Sequence, residues 1–140
     1  MRRTMIGVGE QVNGPNSYYL CFAKAAKNRV ESFYVTTLNG AHEIIRTYEV
    51  TRGLVNRTMV HPREVFWFAI KDMAADIIVA HNHPSGRVDP SSEDMDITKR
   101  LCDAGNLLGI HVLDHLIIGK DGFFSFCEHS IMPEAKEYEP

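Results

Sequence analysis

The sequence predicts an α/β domain, a mixed sheet flanked by helices, and three observations carry that prediction. A β-branched and aromatic run leads through Asn39-Gly40 into a second such run, which is a hairpin signature. Two later stretches place apolar residues three and four apart, as an amphipathic helix does. Short apolar runs at Asp76-Ile77-Ile78-Val79-Ala80 and over residues 111–119 have strand length. Strands alternating with helices pack the helices against the sheet. At 140 residues the chain has the size of one domain, with about two thirds of its unfolded surface available for burial in a single core.

Each element has its own justification. Residues 1–28 read as an arm: Gly7, Gly9, Gly14, Pro15 and Asn16 leave it irregular, and Ser17 caps a short helix over residues 18–27, although its tyrosines and phenylalanine also suit a strand. Residues 30–38 and 41–50 form the two arms of the hairpin. Residues 51–60, with Gly53 and Asn56, cross to a third short strand. Pro62 then opens a helix to about Met73, whose apolar face is Val65, Phe66, Ala69, Ile70 and Met73. The run at 76–80 lacks alternation, so that strand is buried on both faces. A second helix starts around Pro90-Ser91-Ser92-Glu93-Asp94, with Asp89 as N-cap and Pro90 at the first helical position offered as an alternative to a Ser91-x-x-Asp94 cap, continues through Ile97, Leu101, Ala104 and Leu108, and closes at Gly109. Strands at 111–119 and 123–126 are joined by the turn Lys120-Asp121-Gly122. The main domain thus spans residues 29–128, and residues 129–140 are an acidic tail.

Composition narrows the function classes. A net charge of -3 provides no global basic field, so strong sequence-independent binding to nucleic-acid phosphates is not expected. The cysteines Cys21, Cys102 and Cys127 are odd in number and widely spaced, which argues against a disulfide framework or a cysteine-built zinc site and fits the reducing cytoplasm. No run approaches the ~20 apolar residues of a membrane span, and no signal-peptide core follows the first residues. A cytoplasmic protein with no membrane association is the expectation.

The chemistry concentrates in Ala80-His81-Asn82-His83-Pro84-Ser85-Gly86 with Ser91 and Asp94 downstream. Side chains alternate along a strand, so His81 and His83 face one point while Asn82 faces away. Asp94, at the start of the helix returning from the loop, is placed to complete the set. Two histidines, a carboxylate and a water make the open four-coordinate arrangement of catalytic zinc. Taken singly, a His-x-His pair reads as two satisfied or surface histidines, and Ser91-x-x-Asp94 reads as a capping box. Their conjunction within fourteen residues, at the end of a buried strand, favours a site.

His81-x-His83, seven residues, Ser91, two residues and Asp94 resemble the JAMM (JAB1/MPN+) metalloprotease signature, and the surrounding text is similar to its bacterial RadC branch. The matching stretches are Val60-His61-Pro62-Arg63-Glu64-Val65-Phe66, His81-Asn82-His83-Pro84-Ser85-Gly86, Pro90-Ser91-x-x-Asp94, and Leu108-Gly109-Ile110 through Leu113-Asp114-His115-x-Ile117-Ile118-Gly119, within a similarity running over residues 30–127. The resemblance implies a three-layer α/β/α sandwich with a mixed sheet, cytidine-deaminase-like in its JAB/MPN fold. It implies Zn2+ held by His81, His83 and Asp94, with Ser91 donating a hydrogen bond to the oxyanion. It also requires a glutamate at the start of the first core strand as general base. Glu31 fits, at the rim of an apolar layer that Phe33 and Val35 share by period two. Glu49, on the returning strand, and Glu64, in the first turn of a helix where the dipole explains it, are rivals. The implied activity is hydrolysis of an amide bond in a peptide or protein.

Asp114-His115 interrupts an apolar strand, either as a buried hydrogen-bonded pair or as a group that orients a zinc histidine. His42, His61, His111 and His129 belong to no constellation, and Trp67 reads as packing rather than a nucleobase platform. The adjacent His81-Asn82-His83 is not the dispersed HNH nuclease motif, and the His-x-Glu and Pro-Cys-x-x-Cys of zinc deaminases are missing. The alternative from another class is a non-catalytic binding module in DNA repair or recombination. Fuller RadC proteins carry an N-terminal helix-hairpin-helix region that could touch DNA; with about thirty residues before the core strand none is expected in this sequence, which weakens the DNA reading, and the retention of His81, His83, Ser91, Asp94 and a candidate glutamate favours the enzyme.

Overall fold

The computed structural model describes residues 6–53 and 60–134. Helix α1 (Pro15–Cys21) and a 3-10 turn (Ala23–Lys27) precede strands β1 (Ser32–Leu38) and β2 (Ile44–Arg52); α2 (Pro62–Lys71), β3 (Asp76–Asn82), α3 (Ser92–Leu108), β4 (His111–Ile118) and β5 (Phe123–Ser125) follow. The strands form one mixed sheet in the order β2-β1-β3-β4-β5. Only β3 and β4, joined through α3, run parallel. The α/β class is thus the observed one.

Period-two alternation divides the core into two layers. Phe33, Val35, Ile77 and Val79 point to one face and pack with Val65, Phe66 and Ala69 of α2 and Leu101 of α3. Leu38, Ile78, Ala80, Leu116 and Ile118 point to the other, against Val12, Tyr18, Phe22 and Ala25 of the N-terminal segment. With its central strands buried on both sides, β3 has no polar alternation to display, as a strand sandwiched between layers requires. The turn from α3 into β4 is tight: a Cβ added to Gly105 would stand 2.3 Å from the Ile110 carbonyl oxygen and 3.3 Å from the Phe66 ring of α2. Among the described residues no helix is long and apolar enough to cross a membrane.

Several boundaries differ from expectation for identifiable reasons. Ser17 lies inside α1, whose N-cap is Gly14; its hydroxyl donates to the Gly14 carbonyl at 2.9 Å and accepts from Asn13 N–H at 2.8 Å. The hairpin turns through residues 39–43 rather than two, because Asn39 Oδ1 accepts from both Ala41 and Glu43 N–H (2.9 Å each) and His42 takes the left-handed conformation at φ 59°. β2 accordingly starts at Ile44 and runs to Arg52. The arm is more ordered than its glycines suggest, pairing with the start of β2 through Gly9, Glu10 and Val12. The third short strand expected over 51–60 falls largely on 54–59, outside the described residues. Helix α3 takes the Ser91-x-x-Asp94 capping box and not the Asp89 alternative, so that it begins at Ser92, two residues later than an Asp89 cap would start it. Trp67 is 59 % exposed, edge-on to Phe68 with the Lys71 ammonium 5.3 Å from its ring, so it packs on the surface and not in the core.

Candidate metal centre

Antiparallel pairing of β1 and β3 sets Phe33 opposite His81. Two residues back along β1 and two forward along β3, the same register brings Glu31 to face His83, on the face that carries His81. One ligand atom from each of Glu31, His81 and His83 lies within 4.8 Å of the others. Asp94 arrives from the first turn of α3: its Oδ1 is 2.9 Å from His81 Nε2 and its Oδ2 3.5 Å from His83 Nε2. The two Nε2 atoms stand 2.8 Å apart. All five residues singled out in the sequence, Ser91 included, line one cavity of about 350 Å³, together with apolar Phe33 and Ile97. Neither rival glutamate lines it. Glu64 is spent on a capping box with His61 N–H at 2.9 Å, and Glu49 lies on β2, 3.7 Å from Arg52.

Capping and site chemistry coincide at the start of α3 instead of competing. Ser91 Oγ accepts from Asp94 N–H at 3.1 Å, and Asp94 Oδ2 accepts from Ser91 N–H at 2.7 Å. The capping box therefore aims Asp94 so that Oδ1 meets His81 while the capping oxygen Oδ2 also lies beside His83. Because Ser91 Oγ caps by accepting, its own O–H keeps its proton for another acceptor.

Asn82, expected only to face away, has a specific task. Its Nδ2 donates to the Asn28 and Val30 carbonyls at 3.1 and 2.9 Å, and its Oδ1 accepts from Ser32 N–H at 2.7 Å. It staples down the segment that carries Glu31, and Gly53 N–H bonds the Glu31 carbonyl from the other side at 2.9 Å. Asn82 is 2 % exposed, so Asn82→Ala leaves those backbone groups unpaired. We expect a loss of about 1–3 kcal/mol in urea denaturation; a variant within about 0.5 kcal/mol of wild type would show that the staple is dispensable.

The Asp114-His115 pair divides between the two alternatives. Asp114 is the buried structural group: its carboxylate accepts from Ser125 Oγ–H at 2.5 Å and from His115 and Cys127 N–H at 2.8 and 3.0 Å. Burial pushes its carboxyl pKa up in spite of these donors. His115 points to the opposite face, where its Nε2 is 3.0 Å from His81 Nδ1. Stacking on Phe126 and an edge contact with Phe33 fix its plane.

The electrostatics show how tightly the centre is drawn. Burial pushes the Asp94 carboxyl up, but hydrogen bonds from His81 and His83 outweigh it and hold the group far below the ordinary carboxylate range. The Asp94 hydrogen bond pushes the His83 imidazole up against the opposing effect of burial. Burial drives His115 well below the ordinary imidazole range, and His81 beside it adds to that.

The donor set fits zinc. His83 Nδ1 lies 2.9 Å from the Arg87 carbonyl, which only accepts, so a ring proton is held there and Nε2 is the nitrogen left for a metal ion to take. Imidazole nitrogens and carboxylate oxygens are the ligands zinc takes. Bonds of about 2.0–2.1 Å to a tetrahedral zinc set its donors about 3.3 Å apart, within the 2.8 to 3.5 Å spread found here.

Comparison with known proteins agrees with this architecture. Residues 13–131 match the model of the RadC-like JAB domain. The chain is similar to a UPF0758 protein of Methanospirillum hungatei, 60 % identical over 90 residues that cover 64 % of this chain and 40 % of that protein. It is 49 % identical over 105 residues to a UPF0758 protein of Geotalea uraniireducens, covering 75 % and 46 %. A UPF0758 protein of Geobacter sulfurreducens is 40 % identical over 124 residues, covering 88 % and 54 %. The chain thus spans about half the length of these relatives. A match over most of the chain, on the fold just described, shows that it belongs to the RadC-like JAB domain family.

Proposed function

We propose that the chain is a zinc-dependent hydrolase of JAMM type that cleaves an amide bond in a peptide or protein. The observation that carries this reading is the convergence of Glu31, His81, His83 and Asp94, from three separate elements, at the wall of one cavity. His81, His83 and Asp94 would hold the zinc. Asp94 is assigned as the ligand, ahead of Glu31, because it touches both imidazole Nε2 atoms. Bound zinc supplies a Lewis acid that lowers the pKa of water from ~15.7 to ~7.

Glu31 then serves as the base. Its carboxylate takes a proton from the attacking water, whose oxygen bonds to the scissile carbonyl carbon, and the Ser91 hydroxyl donates to the oxyanion so formed. As the C–N bond breaks, Glu31 returns its proton to the leaving nitrogen. A carboxylic acid and an amine result, which exchange a proton to become a carboxylate and an ammonium. Phe33 and Ile97, which line the cavity, keep part of its wall apolar and strengthen the interactions of the charges it encloses.

The test is a screen of peptide and isopeptide substrates with the zinc-loaded protein, run in parallel with chelator-treated protein. The expected result is cleavage that the chelator abolishes and added zinc restores. Cleavage indifferent to the chelator would contradict the proposal.

A further inference from the structure

The bonds around His115 form a chain whose proton positions are determined from one end. Thr98 Oγ1 lies 2.6 Å from the Asp94 backbone carbonyl and 2.5 Å from His115 Nδ1. A carbonyl can only accept, and a hydroxyl has one hydrogen, so the Thr98 O–H is committed to Asp94. His115 Nδ1 must then carry a proton and donate it to Thr98. In the neutral ring, His115 Nε2 is left with a lone pair, which accepts from His81 Nδ1–H across 3.0 Å. His81 Nε2 lies 2.9 Å from the Asp94 carboxylate and 2.8 Å from His83 Nε2, so a proton there donates to Asp94 until a cation takes its place.

We propose that Thr98 and His115 are positioning residues that fix His81 in the Nδ1–H tautomer and so present its Nε2 lone pair to a metal ion. The inference rests on the metal-site reading above. Thr98 is 1 % exposed and His115 fully buried, so no solvent competes for these bonds. Asp94 and Thr98 are one turn apart on α3, which means that the turn delivering the carboxylate also sets the tautomer of the histidine opposite it. Packing alone would explain a buried ring. It does not explain a ring whose two nitrogens are both bonded in a sequence that ends on a ligand candidate, with the neighbouring His83 tautomer set the same way by the Arg87 carbonyl.

The conservative pair Thr98→Val and Thr98→Ser tests the relay, since valine keeps the shape and loses the hydroxyl while serine keeps the hydroxyl. Two readouts are needed. Nitrogen-15 spectra of the histidine rings in the metal-free protein should show a proton on Nδ1 of both His81 and His115, with His115 Nε2 unprotonated, in wild type and Thr98→Ser. In Thr98→Val the His115 proton should move toward Nε2. Zinc affinity by competition with a chromophoric chelator should fall about 10- to 100-fold in Thr98→Val, the usual cost of losing an outer partner of a ligand, and recover in Thr98→Ser. Wild-type tautomers and wild-type affinity in Thr98→Val overturn the relay. So does a His81 ring without a proton on Nδ1 in wild type, a result that needs no variant and holds even if Thr98→Val fails to fold. Absence of zinc uptake by wild type overturns the metal-site reading instead, and the ring spectra still decide the tautomers.

Discussion

His83→Ala should bind zinc more than about 100-fold more weakly than wild type, beyond the upper range for changes outside the ligand set, while keeping its fold. The second half of that statement matters as much as the first. His83 follows the last residue of β3, with a side chain 18 % exposed whose ring bonds the Arg87 carbonyl outside the centre, and its backbone bonds to Ile118 and Gly86 survive the substitution. Its removal therefore opens no core cavity. His81 makes a poorer probe, because its ring is 6 % exposed, stacks on Phe33 and bonds His115. Equilibrium dialysis with zinc and a urea melt of the same sample separate the two effects. Unchanged zinc binding by folded His83→Ala would remove His83 from the ligand set.

Glu31→Gln should do the reverse, retaining zinc and losing hydrolysis by about 10²–10⁴-fold, the range for removing a general acid-base group. Glutamine preserves the shape and can still hydrogen-bond, but it cannot take a proton from water. The position is well suited to the role: the Asn82 staple and the Gly53 bond hold the backbone on either side, and the side chain lies within 4.8 Å of both histidines by their ligand atoms. That proximity also makes Glu31 the rival of Asp94 for the metal, and the variant discriminates between them. If Glu31→Gln loses zinc while Asp94→Asn retains it, the two carboxylates exchange roles. Wild-type hydrolysis by Glu31→Gln would eliminate the glutamate as base.

What the sequence made legible was the part governed by local periodicity. Alternation along β3 placed His81 and His83 on one face, and the spacings along α3 found its extent up to Gly109, which takes the left-handed C-cap. Of the expected stripe Leu101 is buried while Leu108 is exposed, and Thr98, Cys102 and Gly105 fill the buried face. Glu31 came into view through the resemblance, and the β1-β3 register brings it to face His83. The illegible part consists of bonds between residues far apart in the chain. Nothing local marks Asn82 as the partner of residues 28–32, some fifty positions away, or joins Thr98 to His115. Residues treated as having one role also proved to have two: Ser91 and Asp94 cap α3 and face the cavity at once, since a carboxylate has two oxygens and a hydroxyl both donates and accepts. The hairpin failed for a related reason, because the Asn39 side chain bonds the backbone of its own loop and stabilises a wider turn than the Asn39-Gly40 signal suggests.

The claim on which the rest depends is that His81, His83 and Asp94 hold a metal. Elemental analysis of protein purified without added metal, followed by stripping with a chelator and titration with zinc, tests it most directly. One equivalent of a divalent metal per chain, recovered one-to-one on titration, is the predicted result. Only a trace of any divalent metal, with none taken up on titration, would contradict the account.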